Sequence, residues 1–349
     1  MDKKRKIYYD VIRVLACIFV IGIHSTDPAL TQSTKYSLQW FSLIIFQIIV
    51  RTAVPLFIML SGALIINGKE ESLKKFYFKR FSSTIMPFFV YSLFYICVFK
   101  YKADIFNLKT FGTALIEMIR GPVFYHLWFV YTIVGIYIFA PFVKIMLKNL
   151  SEEMLLNLII IIVFISIIFT YMPLLGISIG VDSIIFIGYI DYFVVGYFLT
   201  KNIARLHYNK IIIFGAISFI LSLLISVKFD NYQDIIYGSS PTMILISSAF
   251  FMYFIKNKDK IVNNEKSILY KIITFTSQYT FSIYMIHVYV LQKIIYPSGM
   301  NSMYINIGIG TIATMTLTLL ISLIIVIIVD NLVIKQISKL INILSLKVI

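Results

Sequence analysis

The sequence predicts an all-α polytopic membrane protein: one domain over residues 1–349, about ten transmembrane helices, and both termini cytoplasmic. Composition is the first reason. Sixty per cent of the 349 residues are hydrophobic and 13 % are charged, against about 25 % charged in a soluble domain. The second is length: apolar runs of roughly eighteen residues or more, enough to cross a bilayer as a helix, recur from one end to the other. The third is the spacing of Lys and Arg between those runs, which alternates from rich to poor.

The first run, 11–31, follows Lys3, Lys4, Arg5 and Lys6 and has the outline of a signal peptide. No small-residue cleavage site follows, and Arg13 and His24 interrupt it, so it reads as a retained first helix. The remaining spans are 38–66, 81–99, 122–143, 155–173, 183–200, 210–227, 239–255, 272–292 and 304–330. Their connections are short and polar, with no Pro/Ser-rich linker or repeat, and no appended soluble domain is expected. With the N-terminus inside, the cytoplasmic segments hold 22 Lys or Arg and the outer loops 7. That is the bias of the positive-inside rule. The 30 Phe and 24 Tyr suit aromatic belts at both interfaces.

The net charge of +15 could point to nucleic acid, but the cations lie scattered in short loops and form no basic face, so no nucleic-acid partner is expected. Cys17 and Cys97 both sit in apolar runs, as small core residues, and supply neither a disulfide framework nor a metal site.

Charges inside hydrocarbon cost several kcal/mol and mark function by default. Here they are Asp10 and Arg13 at the mouth of the first helix, His24 farther in, Arg51 in the second, Asp191 in the sixth and His287 in the ninth. His126 stands at the outer edge of the fourth. Eleven residues separate Arg13 from His24, which returns to within about 20° of the same face, about 16 Å up the axis. Asp10 and Arg13, three apart, can pair. One stripe thus carries a cation near the cytoplasmic mouth and an imidazole suited to proton transfer in the outer half. The plainer alternative has His24 hydrogen-bonded to a neighbouring helix and Arg13 snorkelling to the headgroups. His287 shares a face with Tyr284. His126, in Tyr125–His126–Leu127–Trp128, is either an interfacial anchor or part of a site. Arg51 is a candidate partner for Asp191, and Pro55 should kink the second helix. Lys74, Lys75, Lys79 and Arg80 cluster before the third helix; topology explains them, and they could also hold a donor's phosphates. No Walker loop, dinucleotide fingerprint or His-Glu-x-x-His site occurs, so no bound cofactor or metal is expected.

These residues resemble the integral-membrane acyltransferases of the acyltransferase-three type, over essentially the whole chain. The matching elements are Asp10 and Arg13 leading to His24 (Arg, ten residues, His), Val54–Pro55–Leu56–Phe57–Ile58–Met59–Leu60–Ser61–Gly62, Tyr125–His126–Leu127–Trp128–Phe129 with Pro141, and Phe281–Ser282–Ile283–Tyr284–Met285–Ile286–His287. One departure stands out. The paired-arginine element entering the third helix reads Arg80–Phe81–Ser82–Ser83, with Ser83 where a second arginine belongs.

The resemblance implies an O-acyltransferase of a bacterial inner membrane. Its co-substrate would be acyl-CoA, acetyl or succinyl, docking from the cytoplasm. Arg80, Lys79 and Arg51 would contact the donor; His24, Arg13 and Asp10 would form the catalytic stripe; His126, Trp128, Tyr284 and His287 would line the acceptor side. The acceptor would be a hydroxyl of a cell-envelope glycan, with transfer completed alone or by an extracytoplasmic partner protein. A multi-pass transporter or flippase, or a non-catalytic partner in polysaccharide export, would share the architecture. The first has no reason to bind acyl-CoA, and the second would tolerate loss of His24 and Arg13.

Overall fold

The computed structural model describes residues 5–101, 107–177, 188–261, 264–300 and 307–339. In chain order its α-helices are α1 (Ile7–Gln32), α2 (Leu38–Val50), α3 (Ala53–Ile66), α4 (Leu73–Arg80), α5 (Met86–Ile96), α6 (Leu108–Arg120), α7 (Trp128–Lys148) and α8 (Glu152–Tyr171). After these come α9 (Ile190–Phe198), α10 (Asn202–Leu206), α11 (Tyr208–Lys228), α12 (Tyr232–Ile236), α13 (Pro241–Lys256), α14 (Ile268–Val290) and α15 (Ile307–Val329). No strand occurs among the described residues. Local chemistry sets several starts. Ser37, Ser72, Asn107, Ser151 and Ser240 each accept a hydrogen bond from a backbone N–H of the first turn they precede, which satisfies a donor that would otherwise be orphaned.

Among the described residues, seven helical stretches are long and apolar enough to cross a membrane: Ile7–Gln32, Leu38–Ile66, Leu73–Tyr101, Tyr125–Lys148, Glu152–Leu175, Tyr208–Lys228 and Gly308–Lys339. Three expected spans fall outside that set. α13 is apolar but shorter, α14 has the length but carries Ser, Thr, Gln and Tyr along its run, and α9 is the described part of 183–200, whose residues 183–187 lie outside the described residues, as do 304–306 of the last span. The apolar exteriors agree with lipid contact: Ile160, Ile161 and Phe164 on α8, and Ile220 and Leu224 on α11, are exposed, the reverse of a soluble helix.

Three local readings change. The second span is two helices, broken at Arg51–Thr52, ahead of Pro55. The third starts earlier, because Lys74, Lys75, Lys79 and Arg80 lie on α4 itself, which runs into α5 through a π-helical turn at Phe81–Ile85. The expected outer loop after residue 99 holds α6, an amphipathic helix whose Ala114 and Met118 pack with Ile96.

The chain divides into two compact units, Met1–Lys69 with Ala140–Ser277 and Glu70–Phe139 with Gln278–Ile349. In the first, α3 and α9 meet at backbone distance. A Cβ on Gly62 would stand 1.9 Å from the Phe193 carbonyl oxygen, and one on Gly196 would stand 2.0 Å from that of Met59. α11 approaches α13 in the same manner, with Gly215 against Ala249 and Ser218, Ser222 and Ser226 buried along the same helix. Small residues let helices close in where lipid offers no hydrophobic drive.

In the second unit, π-helical turns interrupt the helices at Phe81–Ile85, Cys97–Tyr101, Leu291–Ile295 and Asp330–Ile334. Such turns are rare, and they concentrate at functional sites. The last presents Asp330, whose carboxylate accepts from Tyr91 Oη at 3.1 Å and Ser282 Oγ at 2.7 Å.

Gly62→Val or Gly196→Val should abolish the monodisperse folded protein. Gly112→Ala on α6, where an added Cβ meets nothing within 4 Å, should leave the melting temperature unchanged or raise it, because alanine favours a helix over glycine by roughly 0.5–1 kcal/mol. Size-exclusion profiles and thermal unfolding of the three variants check this.

Candidate functional site

The stripe on α1 is continuous, since Arg13 and His24 belong to one unbroken helix. At its first end Asp10 is buried and holds two guanidinium groups. Arg5 binds it through two contacts, Nε to Oδ2 at 2.6 Å and Nη2 to Oδ1 at 3.0 Å, while Arg13 Nη1 lies 3.3 Å from Oδ1. The expected Asp10–Arg13 pair is present, and Arg5 adds the closer partner. Arg5 also donates to Ser277 Oγ at 2.9 Å, tying the start of α1 to α14.

His24 sits in a second cluster that centres on Asp27, a residue the sequence reading passed over. His24 Nδ1 lies 3.5 Å from Asp27 Oδ2, and Arg51 Nη2 lies 3.1 Å from Oδ1. Gln47 completes it: its Nε2 donates to Asp27 Oδ1 at 3.0 Å and Thr26 Oγ1 at 2.9 Å, and its Oε1 accepts from Arg51 Nε at 3.0 Å. The Arg51 guanidinium also lies over the Tyr237 ring, 4.7 Å from its centroid. Arg51 is therefore a member of the His24 cluster, and the carboxylate facing it is Asp27 and not Asp191. Asp191 is buried on α9 and accepts from the Tyr192 N–H. Residues 24 and 27 are one turn apart, as are 47 and 51, so each helix offers one face. The spacing of Asp27 from His24 was the available signal.

The second unit gathers the other two membrane histidines. His126 is 2 % exposed, packed inside the second unit where an anchor would reach outward, and Trp128 is 37 % exposed. The His126 and His287 ring centroids are 5.2 Å apart, and Tyr95 and Tyr284 close round them. His126 Nε2 lies 3.2 Å from the Met285 carbonyl, Tyr284 donates to the His126 carbonyl, and His287 Nδ1 lies 2.7 Å from the Tyr284 carbonyl. Elsewhere in this unit Arg80 is held between the Phe76 and Tyr137 rings, 5.1 and 5.0 Å from their centroids. Lys79 pairs with Glu71, which holds the Glu71 carboxyl below its ordinary range. Ser83, in the place of a second arginine, lies in the π-helical turn beside Thr84. Among the described residues no three His, Cys, Asp or Glu side chains come together as a metal set.

The Asp27–Arg51 pair should behave as a coupled unit. Asp27→Ala leaves a cation in the bundle without its carboxylate, and Arg51→Met leaves the reverse, so the two single losses of stability should sum to more than the loss in the double variant. A coupling of about 0.5–3 kcal/mol is expected for contacting residues, and a double-mutant cycle in denaturant measures it.

No curated protein and no solved structure matches the chain. A family model described as an acyltransferase domain, acyltransferase-3, matches residues 6–330. That match takes in the α1 stripe, both halves of the broken span, and both imidazole clusters. The helices it covers make the chain a multi-pass membrane protein, and it belongs to the acyltransferase-3 family of membrane acyltransferases.

Proposed function

We propose that the protein is an O-acyltransferase moving an acyl group, acetyl in the first instance, from acyl-CoA to a hydroxyl of a cell-envelope glycan. The observation that carries this reading is the His24–Asp27–Arg51 cluster in a chain of the acyltransferase-3 family. An imidazole with a carboxylate at its Nδ1 is the arrangement a general base needs: the carboxylate fixes the ring and steadies the imidazolium as it forms. Nε2 is then the nitrogen that takes the acceptor's proton. The acceptor oxygen attacks the thioester carbonyl, the new C–O bond forms as the C–S bond breaks, and the proton passes to the departing thiolate. Arg51 stabilises the Asp27 charge through the cycle.

The remaining assignments rest on residue chemistry and family membership. Arg80 and Lys79 are proposed contacts for the donor's phosphates, because Arg and Lys bind such anions directly. Arg13, oriented by Asp10, is a third cation on the His24 helix. Placing Arg51 with Asp27 makes it a partner of the base more than a donor contact. His126, Trp128, Tyr284 and His287 are proposed for the acceptor side. The Lys and Arg bias supports ten crossings with both termini cytoplasmic, and a bacterial inner membrane is what the family resemblance implies. An extracytoplasmic partner that completes transfer fits the same scheme.

The test uses the full chain in nanodiscs with radiolabelled acetyl-CoA and, separately, succinyl-CoA. Wild type should transfer label to an envelope glycan fraction. His24→Ala should lose at least about 10²-fold of that rate, in line with removal of a general base, while still inserting and folding. Asp27→Asn should reduce kcat with little change in donor KM. Full activity in His24→Ala would sink the assignment of the base, and failure of wild type to bind either thioester would sink the donor.

A further inference from the structure

A cavity of about 500 Å³ lies within the first unit, and no step above uses it. Its size falls in the ~300–1,000 Å³ range of small-molecule sites. The C-terminal part of α8 walls it with Ser166, Phe169 and Thr170; the segment at α12 supplies Asn231, Asp234 and Tyr237. Buried hydroxyls brace it: Ser166 Oγ donates to the Ser239 carbonyl at 2.7 Å and Ser240 Oγ to that of Ile236 at 2.8 Å. Asn231 and Asp234 are exposed, one turn apart.

Two observations place this cavity against the His24 cluster. Tyr237 is a wall of the cavity and also the ring beneath the Arg51 guanidinium. The α1–α2 connection meets the α11–α12 connection, with Lys35 Nζ 2.5 Å from Asp230 Oδ1 and Tyr36 Oη donating to the Val227 carbonyl at 3.2 Å. The cavity therefore lies at the end of α1 that carries His24 and Asp27. The Tyr237 hydroxyl is buried and has no hydrogen-bond partner among the described residues, a state that costs stability until a polar group meets it.

The lining chemistry selects the ligand. Among the described residues the cavity is lined by no Lys, Arg or His, so these residues offer nothing to the phosphates of a nucleotide-like donor. It does offer a carboxylate, an amide, several hydroxyls and two aromatic faces, a set that matches a ring bearing many hydroxyls and apolar C–H edges. We propose that this cavity holds the one saccharide unit that reacts, with Asn231 and Asp234 taking its hydroxyls and Phe169 and Tyr237 its ring; the acceptor-side role proposed above for His126, Trp128, Tyr284 and His287 then concerns other parts of the glycan. This rests on the reading of His24 as the base. The saccharide hydroxyl gives its proton to His24 as its oxygen takes the acyl carbon from the thioester sulfur.

Saturation-transfer NMR of the full chain in nanodiscs, with N-acetylglucosamine and glucose as probes, tests the site without any turnover. Wild type should bind at least one probe saturably. Ser166→Phe, which fills the cavity, and Asp234→Ala, at its exposed rim, should each weaken binding tenfold or more, while His24→Ala should retain it. Thermal unfolding establishes that each variant is folded, and the rim change keeps the test valid if Ser166→Phe is not. No binding of either probe by wild type, or unchanged binding in folded Asp234→Ala, overturns the proposal. Acyl-transfer assays separate the two readings. Saccharide binding lost with Asp234→Ala in a protein that transfers no acyl group keeps the acceptor cavity and removes the acyltransferase reaction. Transfer with an acceptor KM unchanged by Asp234→Ala does the opposite.

Discussion

The structure of the first unit turns on one electrostatic requirement: a guanidinium inside a low-dielectric bundle needs a carboxylate. By insertion scales a charge at the centre of a membrane helix costs about 2.5–3.5 kcal/mol; the Arg51 and Asp27 side chains are half-buried, 28 % and 38 % exposed, so each avoids a part of such a cost. Arg51 meets this at Asp27, and because Asp27 lies one turn beyond His24, the same carboxylate serves two partners. Gln47 joins both sides by donating to Asp27 and accepting from Arg51. The break at Arg51–Thr52 then has a reason. It falls where the guanidinium turns from the helix toward α1, and both the N–H and Oγ1 of Thr52 donate to the Ile49 carbonyl there.

The same requirement explains the opposite end of α1. Asp10 is buried and surrounded by Arg5 and Arg13, so the helix carries a carboxylate with two cations at one end and a carboxylate with a cation and an imidazole at the other. The role proposed above for His24 requires its ring to change charge, and Asp27 is the carboxylate that stands beside it. Arg5 with Ser277, and Gln47 with Thr26, anchor these groups through hydrogen bonds to side chains on rigid helices, which is the condition for a site whose atoms hold position.

The two units use different means of precision. In the first, glycines bring backbones together at α3–α9 and α11–α13. This gives Gly62, the last residue of the Ser-Gly signature, a packing duty: its missing Cβ admits the Phe193 carbonyl. In the second, aromatic rings and π-helical turns predominate. A π turn inserts a residue into the helical register and re-aims the side chains after it. At Asp330 it sets a carboxylate against Tyr91 and Ser282, and Ser282 belongs to the same signature that ends in His287.

Much of this was legible in the chain. Helix class, most spans, the shared face of Arg13 and His24, and the Asp10–Arg13 pair all follow from local periodicity and composition, because spacing along one helix fixes which residues share a face. Several features were not. Asp27 is hidden by its ordinary setting before Pro28 near the helix end, Arg51 is only a candidate partner for Asp191 because spacing along the chain cannot say which helices meet, and α6 falls among the loops because its charged face breaks up its apolar one. Each depends on which helix lies beside which. The sequence by itself determined that the chain is helical in a membrane and that its few polar groups matter, since uninterrupted apolar runs of this length cross hydrocarbon as helices and hydrocarbon tolerates few unpaired charges. Only the tertiary structure decided which carboxylate meets which cation, that His126 is buried beside His287, and that a cavity adjoins Tyr237, because such pairings are set by close packing between helices far apart in the chain.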